Sequence, residues 1–217
     1  MQLHLIRHGQ TYSNLSSALD TGSPGAALTP EGERQARAVG AAFATRPLEQ
    51  VFASTLDRAR ATAAEVARPH GLDVVQREGL REVRAGDLEM RTDPESVQQY
   101  LATMIAWSAG DLGVAMPGGE SGTATLDRFD TVVDEIVGLG LDEVAVVSHG
   151  AMIRLWAVSR AANLVGADTA ALWLDNTGVV TLEQDGTGWL ATRWQDEVVP
   201  HPSWALGDGP GGMPADR

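Results

Sequence analysis

Four short stretches place groups able to hold or transfer a phosphate where an apolar run gives out. Leu3 to Ile6 runs into Arg7-His8-Gly9, and Ser54–Ala63, STLDRARATA, carries Arg58 in the first turns of a helical pattern. Arg60, two residues on, faces elsewhere. Leu80–Glu89, LREVRAGDLE, presents Glu82 in a loop after a short strand, and VVSHGAMIR ends the strongest strand pattern on His149-Gly150. The helix that Gly150 opens has an N-terminus favourable for an anion. Ending a buried strand on two cationic side chains is costly without compensation, so a local anion site is expected. A neutral imidazole is a competent nucleophile near pH 7, and planar guanidinium groups hold phosphoryl oxygens by paired hydrogen bonds. Phosphoryl transfer needs mainly positioning and charge stabilisation. The set therefore suits transfer through a covalent histidine, with no metal and no cofactor required.

These residues need a scaffold that gathers strand ends. Short apolar runs alternate with long amphipathic ones, the pattern of a three-layer α/β/α domain whose mostly parallel central sheet is flanked by helices. Strands are expected at Leu3–Ile6, Gln50–Ala53, Asp73–Gln76, Glu143–Ser148, Gly178–Glu183 and Trp189–Trp194. Thr29 as N-cap and Pro30 at the first helical position announce a helix that stops near Pro47. Further helices are expected from after Ser54 to about Arg68, over Gly122–Gly140, and after Gly150. Ligands of such sheets collect at the carboxyl ends of the strands, where all four stretches lie.

Residues 84–119 break the alternation around one helix, Pro94 to Trp107, and read as a lid-like insertion or a plain surface excursion. Tyr100, Met104 and Trp107 on that helix either line a pocket or simply pack. One domain over 1–204 is the economical reading, followed by a glycine- and proline-rich tail at 205–217 expected to be disordered. A literal G-x-G-x-x-G at Gly207, Gly209 and Gly212 has no strand before it and is no dinucleotide fingerprint.

Composition narrows the partners. The chain has 16 basic and 29 acidic residues, a formal net charge of −13, which repels nucleic acid and anionic membrane at long range. Cysteine is absent, which fits a reducing compartment. No signal peptide or membrane-length apolar run stands out, so a cytoplasmic protein, monomer or homodimer, acting on a small-molecule phosphate ester is expected. Asn14-Leu15-Ser16 reads as a glycosylation sequon without a secretion signal to support it. His4, inside the first strand, reads as a satisfied core histidine, and His70 and His201 as solvated loop residues. A zinc site from His4, His8, His149 and Glu82 lacks a helical two-histidine spacing.

The motifs in order resemble the histidine phosphatase superfamily, also called the phosphoglycerate mutase-like family. They are RHGQT-x-x-N, LTPEG-x-x-QA at Leu28–Ala36, S-x-L-x-RA-x-x-TA at Ser54–Ala63, L-x-E-x-x-x-G at Leu80–Gly86, PGGES at Pro117–Ser121, and VVSHG at Val146–Gly150. The resemblance implies that His8 becomes phosphohistidine, with Arg7, Arg58 and His149 around the phosphoryl oxygens and Asn14 helping to hold the phosphate. Glu82 would protonate the leaving alkoxide and then deprotonate the attacking water. An activity optimum below neutrality is expected for simple phosphate esters. After Gly86 many members continue with an aromatic residue, Glu and Gly, whereas Asp87, Leu88, Glu89 and Met90 follow here.

The family holds hydrolases and mutases. A mutase must grip a second charged group, yet between Gly86 and Gly119 the sole basic residue is Arg91, against Asp87, Glu89, Asp93, Glu95 and Asp111. Repulsion there disfavours a small multiply charged substrate, so a phosphatase is preferred to a phosphoglycerate mutase-type phosphotransferase. A non-catalytic phospho-ligand-binding regulator would require a missing catalytic group, and none of the five is missing.

Overall fold

The run Leu3–Ile6 is the middle of β1 (Gln2–Arg7), which lies between β4 (Glu143–Ser148) and β5 (Val179–Gln184). The computed structural model describes residues 1–165, 167, 172–184, 186 and 188–199. The tail at 205–217 and His201 lie outside the described residues. With β2 (Gln50–Ser54), β3 (Val74–Arg77), β6 (Trp189–Trp194) and β7 (Glu197–Val198), the strands form one sheet in the order β3-β2-β4-β1-β5-β6-β7. The first four in that order run parallel, and β5, β6 and β7 continue as an antiparallel meander. Register Arg7↔Ser148 sets the ends of β1 and β4 side by side, so the two histidines that follow them become neighbours.

Both faces of the sheet are covered, which is why the central strands read as unbroken apolar runs. All six residues of β4 are buried. On one face Ile6, Val51, Ala53, Ala145 and Val147 pack with Val39 and Phe43 of α2 (Pro30–Phe43) and with Ala59, Ala63 and Val66 of α3 (Asp57–Ala67). On the other, Leu3, Leu5, Phe52, Val144 and Val146 pack with α4 (Pro94–Ser108), α5 (Gly122–Gly138) and α6 (Gly150–Arg160). These are the three layers expected from the sequence. Capping fixes the helix starts: Gly32 N donates to Thr29 Oγ1 at 3.0 Å ahead of Pro30, and Ala124 N to Ser121 Oγ at 3.2 Å. A short helix α1 (Tyr12–Ser16) was not expected; Thr11 and Asn14 form a reciprocal capping box with Asn in place of the usual Glu or Gln.

Within 84–119, α4 buries Tyr100, Met104 and Trp107 in the same core as the sheet. The segment is stitched to the body at one point and closed on itself at another. Leu19 and Met90–Arg91 exchange backbone hydrogen bonds of 3.0 Å, and Asp87 N donates to Pro117 O at 2.8 Å. Gly86 (φ +58) is held at that second point, where a Cβ would lie 2.1 Å from Pro117 O.

His4 is a core residue, 1% exposed. Its Nε2 lies 3.0 Å from Glu143 Oε1 and its Nδ1 3.0 Å from Thr181 Oγ1, so the carboxylate assigns the proton to Nε2 and the hydroxyl donates to Nδ1. Burial and then Arg46 push its pKa from 6.5 to about 4. The folded state therefore holds His4 neutral while the unfolded chain takes up its proton near 6.5, and stability present above that pH is lost as the pH falls toward 4. His4→Gln preserves both hydrogen bonds without the titration. Urea unfolding at pH 7.5 and 4.5 should show the variant losing roughly 2–3 kcal/mol less on acidification than the parent. His70, expected to be solvated, is instead partly covered, with a buried Nε2.

Candidate active site

A cavity of about 120 Å³ at the carboxyl ends of the strands is lined by Arg7, His8, Asn14, Arg58 and Glu82, together with Asp20, Thr21 and Tyr100. His149 stands directly behind, its ring centroid 5.1 Å from that of His8. The residues singled out in the sequence thus come together from four separate strand ends. Gly150 completes the set: its Cα faces Arg7, where a Cβ would sit 3.0 Å from the guanidinium Nε.

His8 is fixed at both ring nitrogens. Nδ1 lies 2.7 Å from Gly9 O, which can only accept, so Nδ1 carries the proton. Arg58 Nε donates to Nε2 at 3.1 Å, which requires a lone pair there. Burial, then Arg58 and Arg7, holds the pKa well below 6.5. The imidazole is therefore neutral, oriented, and nucleophilic at Nε2.

Ser54 sets the other ring. Its Oγ accepts from Leu56 N at 3.3 Å and lies 2.8 Å from His149 Nε2; with the serine proton given to Nε2, the imidazole carries its own on Nδ1 and can donate it to a ligand. Burial, then Arg58 and His8, keeps His149 neutral as well. His149 Nδ1, Arg7 Nε and Arg58 Nη1 are buried without a hydrogen-bond partner. Buried donors of this kind are costly unless an acceptor meets them, and the oxygens of a phosphoryl group supply several at once.

The two arginines are anchored through their remaining nitrogens. Arg7 Nη1 donates to Leu174 O at 2.6 Å, and Arg58 Nη2 to Asp20 O at 2.9 Å. The Asp20 carboxylate lies 3.7 Å from Arg58 Nη1 and accepts from Ser13 Oγ (2.7 Å) and Ala26 N (2.8 Å). Burial lowers both arginine pKa values, yet guanidinium groups stay protonated throughout the working range. Asp20 escaped the sequence reading because an aspartate beside glycine, serine and proline looks like any turn residue.

Glu82 sits across the cavity. Its Oε1 accepts from Val83 N (2.9 Å) and Met152 N (2.8 Å), and its Oε2 from Ala151 N (3.2 Å). The α6 N-terminus expected to favour an anion thus seats a side-chain carboxylate through its second and third amides. The loop bearing Glu82 is held by Arg128 of α5, whose Nη1 donates to Gly79 O and Arg81 O at 2.8 Å and whose Nη2 donates to Glu82 O at 2.9 Å. Arg128 Nε donates to Glu120 Oε2 at 3.1 Å. Tyr100, a phenol kept protonated by burial and then by Glu82, donates to Val83 O at 3.1 Å.

Asn14 Oδ1 accepts from Thr11 N (3.0 Å) and Asn176 Nδ2 (3.2 Å), which leaves its amide nitrogen as the group able to donate into the cavity. Asn176 Nδ2 also reaches His8 O at 3.1 Å. It went unnoticed in the sequence, since Asn-Thr-Gly before a strand reads as a turn. The unusual DLEM stretch is explained in part. Glu89 accepts from Thr21 N and Gly22 N at 2.9 Å and from the Thr21 hydroxyl, so it pins the loop that carries Asp20.

A family model described as the histidine phosphatase superfamily (branch 1) matches residues 3–197. A probable phosphoglycerate mutase, GpmB, of Erwinia tasmaniensis is 30% identical over 200 residues, covering 92% of each chain. Among solved structures, a mycobacterial glucosyl-3-phosphoglycerate phosphatase in complex with VO3 superposes with a TM-score of 0.74 at 25% identity, over 89% of this chain and 98% of that one. The α-ribazole phosphatase of Shigella flexneri shares the fold, with a TM-score of 0.72 at 24% identity over 90% and 96% of the two chains.

Proposed function

The chain belongs to branch 1 of the histidine phosphatase superfamily, and from that premise we propose that it hydrolyses a small-molecule phosphate monoester through a phosphohistidine at His8. The observation that carries the reading is the pair of opposed groups in one cavity, a neutral His8 with its lone pair on Nε2 and the Glu82 carboxyl group across from it. His8 Nε2 attacks phosphorus as the bond to the leaving oxygen breaks, and Glu82 gives that oxygen its proton. Arg7, Arg58, Asn14 and the Nδ1–H of His149 hold the equatorial oxygens, whose charge they match in the transition state. Glu82 then takes a proton from water, whose oxygen attacks phosphorus as the P–N bond breaks, and inorganic phosphate leaves.

Hydrolysis is preferred to transfer because of where the cations are. Among the described residues that line the cavity and its outer neighbour, Arg7 and Arg58 are the cationic side chains, and both are committed to the reacting phosphoryl group. A second phosphate or a carboxylate would meet Asp20, Glu82 and Asp175 in that lining, and Arg154, a further cation beside it, lies over the Trp173 ring. The name of the Erwinia relative supports the second reading, a phosphoglycerate mutase. One experiment separates them. Purified protein is incubated with p-nitrophenyl phosphate, with a panel of metabolite monoesters, and with 3-phosphoglycerate plus 2,3-bisphosphoglycerate. Steady release of inorganic phosphate, with an optimum below neutrality for simple esters, is expected. Isomerisation of the phosphoglycerate faster than phosphate release would establish the mutase instead.

A further inference from the structure

A second cavity of about 370 Å³ adjoins the inner one and shares Arg7, Ser13, Asn14 and Ala18 with it. At its mouth stands Trp173, 59% exposed. An exposed tryptophan is ordinary on a surface when it is free to turn, but this one is held. Its Nε1 donates to Asp175 Oδ1 at 2.9 Å, and its backbone carbonyl accepts from Trp194 Nε1 at 2.8 Å. The guanidinium carbons of Arg7 and Arg154 each lie 5.9 Å from the centre of its ring. The outer cavity is otherwise lined by neutral hydrogen-bonding side chains, among them Gln10, Ser17 and Asn176, with Asp175 as its one acid.

We propose that this outer cavity binds the leaving group of the ester, and that the group is an uncharged sugar ring lying against the face of Trp173. The inference rests on the phosphatase reading and adds the class of alcohol released. A rigid aromatic plate beside amide and hydroxyl groups matches a pyranose, whose C–H face is apolar and whose rim is hydroxyl donors and acceptors. Its volume falls within the range of small-ligand pockets and suits a single hexose. Asp175 accepts from sugar hydroxyls and repels a carboxylate or second phosphate, while Arg7 is already turned to the reacting group. A phosphate on the exocyclic carbon of the ring then reaches His8 through the shared wall.

The test compares glucose 6-phosphate with ethyl phosphate, which carries the same kind of reacting ester without the ring. Trp173→Ala should raise KM for glucose 6-phosphate about tenfold more than KM for ethyl phosphate, and Trp173→Phe should recover most of the difference. Equal shifts for the two esters would show that Trp173 acts only by bracing Arg7 and would overturn the proposal while leaving the phosphatase standing. A parent enzyme that prefers 3-phosphoglycerate to glucose 6-phosphate would overturn it as well. Calorimetric titration of the parent with glucose 6-phosphate provides the independent readout. Binding that Trp173→Ala weakens about tenfold, without phosphate release by the parent, would uphold the sugar site and reject the phosphatase.

Discussion

His8→Ala should reduce turnover of p-nitrophenyl phosphate by roughly 10⁴-fold or more, because the step it removes is the formation of the covalent intermediate. The magnitude follows from the geometry. In the proposed mechanism His149, the next imidazole, has Nε2 engaged by Ser54 Oγ and gives its Nδ1 proton to the phosphoryl oxygens, so it offers no lone pair toward phosphorus. No second nucleophile waits in reserve. The substitution leaves the fold intact, since His8 is neutral and its removal strips no counterion from Arg7 or Arg58. His8→Asn, which retains a polar amide beside Gly9 O and Arg58 Nε, is the companion variant. Acid-quench trapping with ³²P-labelled substrate should label the parent and neither variant, with far-ultraviolet circular dichroism of all three superimposable. Turnover in His8→Ala within tenfold of the parent would reject the phosphohistidine.

Glu82→Gln should separate the two half-reactions. With an alkyl phosphate the first step needs a proton on the leaving oxygen, and its loss should lower kcat by about 10²–10⁴-fold. p-Nitrophenolate leaves without that help, so phosphorylation of His8 persists. Hydrolysis of the phosphohistidine, which needs Glu82 as base, then becomes slow. Rapid mixing should therefore show a burst of p-nitrophenolate stoichiometric with enzyme, followed by a slow steady rate, and the labelled phosphoenzyme should accumulate. Glutamine retains a carbonyl oxygen for the amides of Val83 and Met152 and gives up only the longer bond from Ala151 N, so the loop held by Arg128 stays in place. Equal losses on alkyl and aryl esters, with no burst, would remove Glu82 from the proton transfers.

The residues that bear the chemistry were legible because each stands where one local pattern ends and another begins. Arg7, His8, Arg58 and His149 all follow apolar strands that the sequence marks by period and composition, and the parallel pairing of β1, β2 and β4 brings those ends together. The helices and strands were found within a few residues for the same reason. What stayed hidden depends on contacts distant in sequence. Asp20 touches Arg58 from 38 residues away, and Asn176 reaches His8 across 168. Both are turn-forming types that carry no periodic signal. Arg128 lies on the helix that supplies the α5 core stripe, and its sequence neighbours say nothing of the three carbonyls it collects. Ser54 was visible within its motif, but its contact with His149 Nε2 spans 95 residues and requires the fold.

Arg128 also ties together two parts of the protein that would otherwise change separately. One side of its guanidinium gathers the carbonyls beneath Glu82, and its Nε is paired with Glu120, just past the end of the inserted segment 84–119. Glu120 in turn lies 3.6 Å from Arg84, where that segment begins. The seat of Glu82 and the closure of the inserted segment therefore hang from a single side chain. Grafting a different cover onto this scaffold, by evolution or by design, alters the seat of the acid unless position 120 keeps its carboxylate.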